Sequence, residues 1–153
     1  MDAVEIRPMV NSDSGQVAEL SEALGYVTAA SDVERRIALL SGRADNALFV
    51  AVDRGAIVGW ARVCGVPRLQ TDGYSEVGGI AVAASHRCRG IGRRLMQECE
   101  RWGCSAGYAR MRLRSGLQRS EAHLFYQRIG YERRRASYAF ERTITEEAEA
   151  NAV

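Results

Sequence analysis

Six residues in the middle of the chain, RCRGIG at 87–92, combine glycine and arginine in a pattern that suits phosphate chemistry. Gly90 and Gly92 lie two residues apart, at the point where an apolar run gives way to a helical pattern. A helix N-terminus carries unpaired N–H groups and a partial positive charge. Glycine allows positive φ and lets a ligand touch the main chain. The pattern therefore predicts a pyrophosphate bound to the backbone of this loop.

Three phosphate-binding patterns compete for these residues. A Walker A loop needs a lysine, but all 21 basic residues of the chain are arginine. A Rossmann fingerprint needs a third glycine where Leu95 stands. The pattern R-x-x-G-x-G remains. For the hexapeptide alone, a glycine-rich turn with solvated arginines stays open as an alternative.

Hydrophobic periodicity predicts the elements that must position this loop. Gly78 and Gly79, inside an apolar strand just before the loop, indicate a bulge or a close backbone approach. The element order predicts an α/β (α+β) fold with antiparallel hairpins first and a crossover helix between two later strands. Strands are expected at 4–10, 47–52, 56–66, 75–83 and 109–115, helices at 11–25, 31–42, 91–103 and 120–130, and a last strand or hairpin at 131–142.

Composition bounds the class of protein. We expect a single domain over residues 1–153, with 143–153 as a frayed tail, since 153 residues suffice for one core. A net charge of +2 is too balanced to predict nucleic-acid binding. The apolar runs are too short for a membrane span, and the N-terminus lacks the apolar region of a secretory signal. We therefore expect a cytoplasmic protein with no nucleic-acid or membrane partner.

The cysteines do not predict a metal site. Cys64, Cys88, Cys99 and Cys104 form no CxxC pair, and their spacing matches no zinc frame. Only two histidines accompany them. Cys99 falls on the apolar face of the helix predicted at 91–103 and is interpreted as buried packing.

Two blocks carry a resemblance to a known family. VGGIAVAASHRCRGIGRRLM at 77–96 and AHLFYQRIGY at 122–131 resemble the motifs of the GNAT superfamily of N-acetyltransferases. The resemblance extends over residues 4–142 and implies the GNAT fold. That fold has a mixed central sheet, antiparallel N-terminal hairpin strands, a splayed central parallel pair, and helices on both faces. It also implies acetyl-CoA as donor and an amine as acceptor.

The resemblance assigns the cofactor-binding residues by motif position. It implies that the pantetheine arm lies along the strand before the loop as an added strand would, which agrees with an interrupted strand that frees backbone groups. The matching positions are Ile80, Ala81 and Val82 for the pantetheine, and Arg87, Cys88, Arg89, Gly90, Ile91 and Gly92, with Arg93 adjoining, for the pyrophosphate.

Acetyl transfer to an amine needs deprotonation of the amine, stabilisation of the oxyanion, and protonation of the departing thiolate. The resemblance implies that Tyr126 is the general acid; as an alternative it is a packed core tyrosine. Glu76 is the candidate base, acting through water, unless it is a solvated strand-end carboxylate. His123 lies one turn before Tyr126 and is a weaker candidate, more typical of a structural histidine. Backbone N–H groups near Ile80 can stabilise the oxyanion.

The acceptor pocket is expected to involve the first helices and the loop at 66–74. Tyr26, Asp72 and Tyr74 are the candidates to contact the amine, and each is alternatively an exposed loop residue. Arg114 and Ser115 could bind a substrate carboxylate or be solvated.

The resemblance thus implies an acetyl-CoA-dependent N-acetyltransferase acting on a primary amine, most simply a small molecule of the aminoglycoside kind. A protein or peptide N-acetyltransferase stays open, as does a non-catalytic acyl-CoA-binding regulatory module. SYAFER at 137–142 is the candidate interface of a homodimer.

Overall fold

The computed structural model describes residues 3–145. The chain divides into two compact units, Met1–Arg114 and Ser115–Val153, and each is described by itself. Residues 146–153, the larger part of the predicted tail, lie outside the described residues. The prediction of one domain stays a prediction.

The first unit is built on a five-stranded sheet in the order β1-β2-β3-β4-β5. The pairs β1–β2, β2–β3 and β3–β4 are antiparallel, and the pair β4–β5 is parallel. The mixed α/β sheet predicted from the sequence is therefore confirmed. The strands are β1 Glu5–Pro8, β2 Asn46–Asp53, β3 Ala56–Val66, β4 Tyr74–Val82 and β5 Met111–Leu113.

A two-residue turn closes the hairpin of β2 and β3. Asp53 pairs with Ala56, and both intervening residues have positive φ, 51° at Arg54 and 78° at Gly55. This is the geometry of a type I′ turn, which matches the twist of the two strands. The hairpin predicted from Asp53-Arg54-Gly55 is confirmed.

Strand β4 carries the irregularity that its two glycines predict. Arg62 of β3 pairs with Gly79, and the next residue, Val63, pairs with Val77, so Gly78 is the extra residue of a bulge. On its other side, β4 pairs with β5 only through Ser75–Val77. Residues 78–82 therefore continue beyond the parallel pair with one long side unpaired by β5, which is the splay that the resemblance implies.

Helices cover both faces of this sheet. Helix α1 at Ser14–Ala23 and helix α2 at Ala30–Ser41 pack on one face, where Val17, Ile37 and Val50 share a buried cluster. Helix α3 at Ile91–Ser105 packs on the other face; Leu95 and Cys99 are fully buried there.

Helix α3 approaches the sheet closely because the helix presents a glycine, Gly103, to strand β4. A Cβ on Gly103 would lie 2.5 Å from the Ser75 Oγ atom, so only glycine fits between α3 and β4 at this level. The crossover β4–α3–β5 therefore fixes α3, and with it the loop at the α3 N-terminus, against the central strand.

The second unit contains helix α4 at Ser120–Arg128, as the sequence predicts. The last strand or hairpin predicted at 131–142 is wrong, since residues 131–145 have no regular secondary structure. The apolar alternation of this segment is nevertheless present, with Tyr138 90% and Phe140 94% exposed. A strand needs a neighbouring strand as well as a pattern, and none of the strand pairings of residues 3–145 includes this segment.

No helix in the described range 3–145 is both long enough and apolar enough to cross a membrane.

Candidate active site

The N-terminus of α3 presents unused hydrogen-bond donors. The first helical bond runs from the Arg94 N–H to the Gly90 carbonyl, at 3.0 Å. Within residues 3–145, the N–H groups of Gly90, Ile91, Gly92 and Arg93 donate to no protein acceptor, and no side chain caps the helix. Four N–H groups at the positive end of a 15-residue helix form an anion-binding arrangement.

The backbone before the helix is held in an unusual conformation. Gly90 has a φ of 78°, and Cys88, which is not glycine, has a φ of 62°. A non-glycine residue in this region is uncommon and costs energy, so the surrounding structure must hold the loop in place. A Cβ on Gly90 would meet no atom within 4 Å, so the space before the helix is open. The side chains of Arg87, Cys88, Arg89 and Arg93 are exposed.

A histidine that the sequence analysis did not assign anchors the start of this loop. His86 Nε2 lies 2.8 Å from Asp53 Oδ2, and its Nδ1 lies 2.7 Å from the Ser85 Oγ. Because a carboxylate only accepts, Nε2 carries a proton and donates it to Asp53. This hydrogen bond holds the start of the loop, at His86, against the β2–β3 hairpin. The sequence shows a histidine directly before the glycine loop. Its partner, Asp53, is 33 residues away in the chain, so spacing could not have identified the contact.

The strand expected to hold the pantetheine arm has an open side. Ile80, Ala81 and Val82 pair with β3 on one side, while the β4–β5 pairing stops at Val77. Backbone groups of residues 78–82 that point away from β3 therefore face no strand in the described chain. An extended ligand carrying amides could add to this edge.

Glu76 lies just before the bulge, on a face shared with arginine. The register places it between Cys64 of β3 and Arg112 of β5. Its Oε1 is 3.9 Å from the Nε of Arg114, and its side chain is 26% exposed. The Glu76 carboxylate is therefore accessible to solvent, and Arg114 lies close enough to offset part of its negative charge.

The three predicted acceptor-contacting residues have different surroundings. Tyr26 is 63% exposed and Asp72 is exposed in the loop after β3. Tyr74 is buried at 7% exposure. The Arg112 guanidinium lies 4.4 Å from the Tyr74 ring centroid, and that of Arg68 lies 5.9 Å away. Tyr74 is thus a platform for arginines, and Tyr26 and Asp72 lie open to solvent.

Arg62 is a second residue that the sequence analysis missed. It is the single charged residue in the apolar strand AIVGWARVCGV, and this isolated charge could have marked it as a candidate site residue. Its Nε donates to the Asn46 Oδ1 at 3.2 Å, and its Nη1 would lie 2.9 Å from a Cβ on Gly78. Its guanidinium therefore lies over the bulge of β4.

Tyr126 and His123 lie on α4 in the second unit. Tyr126 is half-buried, with ring centroids 5.2 Å from Phe125 and 6.3 Å from Tyr131. His123 Nε2 lies 2.8 Å from the Gly116 carbonyl. Since a carbonyl only accepts, this nitrogen donates, which gives His123 a structural role at the start of α4.

The cysteines differ in burial. Burial raises the pKa of the Cys99 thiol to about 12, which agrees with its predicted packing role. Cys88 and Cys104 are exposed. Across residues 3–145, no three histidine, cysteine or acidic side chains come together in a group that could hold a metal ion.

The class of protein to which this fold belongs follows from the sequence comparison. The chain belongs to the GNAT acetyltransferase family, since the family model described as an acetyltransferase (GNAT) domain matches residues 44–133. The family resemblance and the fold predicted from the sequence are thus confirmed. No curated protein matches the chain significantly.

Solved structures with the same fold include two aminoglycoside N-acetyltransferases. AAC(6')-Iy, in complex with the bisubstrate analogue CoA-S-monomethyl-acetylneamine, has a TM-score of 0.81 and 20% identity, over 93% of this chain and 100% of that one. AAC(6')-Ih from Acinetobacter baumannii has a TM-score of 0.79 and 19% identity, over 94% and 100%. A protein named as a transcriptional regulator, from Bacillus halodurans, has a TM-score of 0.80 and 21% identity, over 91% and 99%. At these identities the likeness concerns the fold.

Proposed function

We propose that this GNAT protein is an N-acetyltransferase that moves the acetyl group of acetyl-CoA to a primary amine of a small molecule. The observation that carries the proposal is the set of four unpaired N–H groups at the α3 N-terminus, next to the open side of β4. The two features suit the two chemically different parts of CoA. The N–H groups can donate hydrogen bonds to a pyrophosphate, and the open side of β4 can pair with the amides of pantetheine.

The chain supplies groups for each part of the reaction. Glu76 takes a proton from the ammonium through water, and the free amine then attacks the thioester carbonyl carbon. Backbone N–H groups near Ile80 stabilise the oxyanion on the side of β4 where pairing with β5 has ended. The C–S bond breaks and the thiolate takes the phenolic proton of Tyr126. The second proton of the attacking nitrogen then passes through water to the tyrosinate, which leaves a neutral amide and restores the phenol. The role of Tyr126 rests on its place in the motif AHLFYQRIGY.

The bound cosubstrate supplies an activated acyl group, and the protein supplies binding, orientation and proton transfer. The aminoglycoside acetyltransferases with this fold support a small-molecule amine as acceptor. A cytoplasmic location and a homodimer stay predictions.

Two measurements test the proposal in sequence. Isothermal titration with CoA should give saturable binding, and a thiol-release assay with acetyl-CoA and a panel of amines should give amine-dependent release. Because Cys88 and Cys104 are exposed, the reaction of the protein's own thiols with the reagent must be subtracted. Absence of CoA binding would contradict the proposed CoA site. CoA binding with no amine-dependent release would favour the non-catalytic acyl-CoA module.

A further inference from the structure

The sheet face that carries Glu76 also carries positive charge that the proposed acetyl transfer does not use. Side chains alternate along a strand, and the registers of β3, β4 and β5 place Arg62, Tyr74, Glu76 and Arg112 on one face. Arg68 reaches Tyr74 from the loop after β3, and Arg114 reaches Glu76. We call Arg62, Arg68, Arg112 and Arg114 the arginine strip.

Arg62 is the member of the strip that would gain most from a bound anion. Its side chain is half-buried, and no carboxylate of residues 3–145 lies within 4.0 Å of it. One of its five N–H donors is used by Asn46. A partly desolvated guanidinium with unused donors gains more from an anionic acceptor than an exposed one does. Because this guanidinium lies over Gly78, it lies beside the strand segment proposed to hold the thioester.

Arg112 is held in place by an aromatic ring instead of a carboxylate. It stacks on the buried Tyr74 ring at 4.4 Å, and in the described part of the chain no acidic side chain pairs with it. Stacking fixes the plane of the guanidinium and leaves its edge donors available. Arg112 is also the β5 neighbour of Glu76, so a cationic and an anionic group lie side by side on adjacent strands.

The balance of charge on this face is the deciding feature. Glu76 is the one carboxylate that strands β3, β4 and β5 place on this face, and it already lies 3.9 Å from Arg114. Asp45, which contacts the Asn46 beside this strip, is already paired with Arg43 at 2.9 Å. A polycationic acceptor would meet four guanidinium groups with one shared carboxylate to offset them. An acceptor with one ammonium and one anionic group finds a partner for each charge.

We propose that the acceptor carries an anionic group, a carboxylate or a phosphate ester, in addition to its primary amine. Arg62, at the Gly78 side of Glu76, or Arg112, at the Tyr74 side, binds the anionic group while Glu76 receives the ammonium. This inference rests on the proposed function and names its substrate class; it favours an amino-acid-like acceptor over a polycationic aminoglycoside.

The test uses pairs of amines that differ in the anionic group. Phenylalanine is compared with phenethylamine, phosphoethanolamine with ethanolamine, and kanamycin is the polycation; the readout is kcat and KM from thiol release. We expect the anionic member of at least one pair to have a kcat/KM at least about 10-fold higher, as one charge-assisted hydrogen bond provides. The first pair reports on carboxylate, the second on phosphate.

Two variants connect the preference to the strip. At least one of the variants Arg62→Gln and Arg112→Gln should remove most of the preference by raising KM for the anionic amine, and a preference retained in both would overturn the proposal. Arg112 is exposed at the sheet edge, so its variant remains informative if Arg62→Gln fails to fold. Arg101→Gln, on exposed α3 surface, is the matched control and should keep the preference.

The outcomes separate this inference from the function on which it rests. Equal turnover within each pair, or a preference for kanamycin, would overturn the inference while acetyl transfer stands. If no amine turns over although CoA binds, calorimetry on the CoA-loaded protein decides. Binding of an anionic amine that is lost in Arg62→Gln or Arg112→Gln supports the anionic site, and absence of such binding overturns it.

Discussion

At the scale of single residues, residue type and spacing predicted the glycine loop but not the residues outside it that contact the loop and the bulge of β4. Gly90 and Gly92 stand at the start of α3 as expected, and Cys99 is buried. His86 and Arg62 were missed because their roles depend on residues brought near by strand register. The His86 partner is Asp53 in a hairpin turn, and the Arg62 neighbour is the bulge at Gly78. Local spacing contains no information about such contacts.

Removing the phenol of Tyr126 should separate turnover from binding. Tyr126→Phe should lower kcat by about 10²-fold, since a positioned general acid contributes at least that much. The Kd for CoA should stay within error because the ring remains. Tyr131→Phe removes a neighbouring phenol whose ring centroid is 6.3 Å away, and it should keep near-normal kcat. An unchanged kcat in Tyr126→Phe would exclude this residue as the acid.

At the scale of elements, patterns that involve neighbours in sequence were predicted well. The hairpin, the bulge in β4 and the helix opened by the loop all arise from turn chemistry or periodicity within one segment. The segment 131–142 has the alternation of a strand and forms none, because pairing depends on a partner that its own sequence does not specify. The same reason shortens the strand expected at 109–115 to Met111–Leu113.

The α3 N-terminus and C-terminus provide a matched pair of glycine substitutions. Gly90 and Gly107 both have positive φ, 78° and 92°, and a Cβ on either meets nothing within 4 Å. Leucine at either site should lower the free energy of unfolding by about 1–2 kcal/mol. Only Gly90→Leu should also weaken CoA binding, by about 100-fold, because its side chain displaces an anion from several N–H groups. Equal CoA affinity in both variants would argue against the loop as the binding site.

The entry to α1 contains a partly buried ion pair that should make stability depend on pH. Arg7 Nη1 and Nη2 each lie 2.8 Å from a carboxylate oxygen of Asp13, which also accepts from the Val10 N–H. The hydrogen bond from Arg7 holds the pKa of Asp13 below its usual value, against the opposing effect of burial. A lowered folded-state pKa stabilises the fold above the unfolded-state pKa, near 4, and this contribution is lost as the pH falls below it.

Asp13→Asn should therefore lower the free energy of unfolding by about 2 kcal/mol at pH 7. The difference from the unaltered protein should shrink as the pH falls below about 4, as urea titrations between pH 7 and pH 3 would measure. Asp32→Asn removes an exposed pair with Arg35 at 3.5 Å and should change stability far less. A deficit in Asp13→Asn that stays constant with pH would show that the carboxylate charge is not its cause.

At the scale of the whole molecule, the exposed segment near the C-terminus bears on assembly. Tyr138 and Phe140 lie two residues apart in a segment without regular secondary structure, and both are exposed, as is typical of a surface covered by another chain. If a second copy covers it, Tyr138→Ser with Phe140→Ser should shift the protein from dimer to monomer. Light scattering coupled to size exclusion would measure the shift, and a double variant with unchanged mass would exclude this segment as the interface.

The central claim is that the backbone around the paired glycines binds the pyrophosphate of CoA. Amide hydrogen exchange with and without CoA tests it directly, because the N–H groups of residues 90–93 have no protein acceptor to protect them. We predict that CoA slows exchange most strongly at 90–93 and also along 80–82. Exchange at 90–93 that stays fast in the presence of saturating CoA, with protection elsewhere in the chain, would contradict the account.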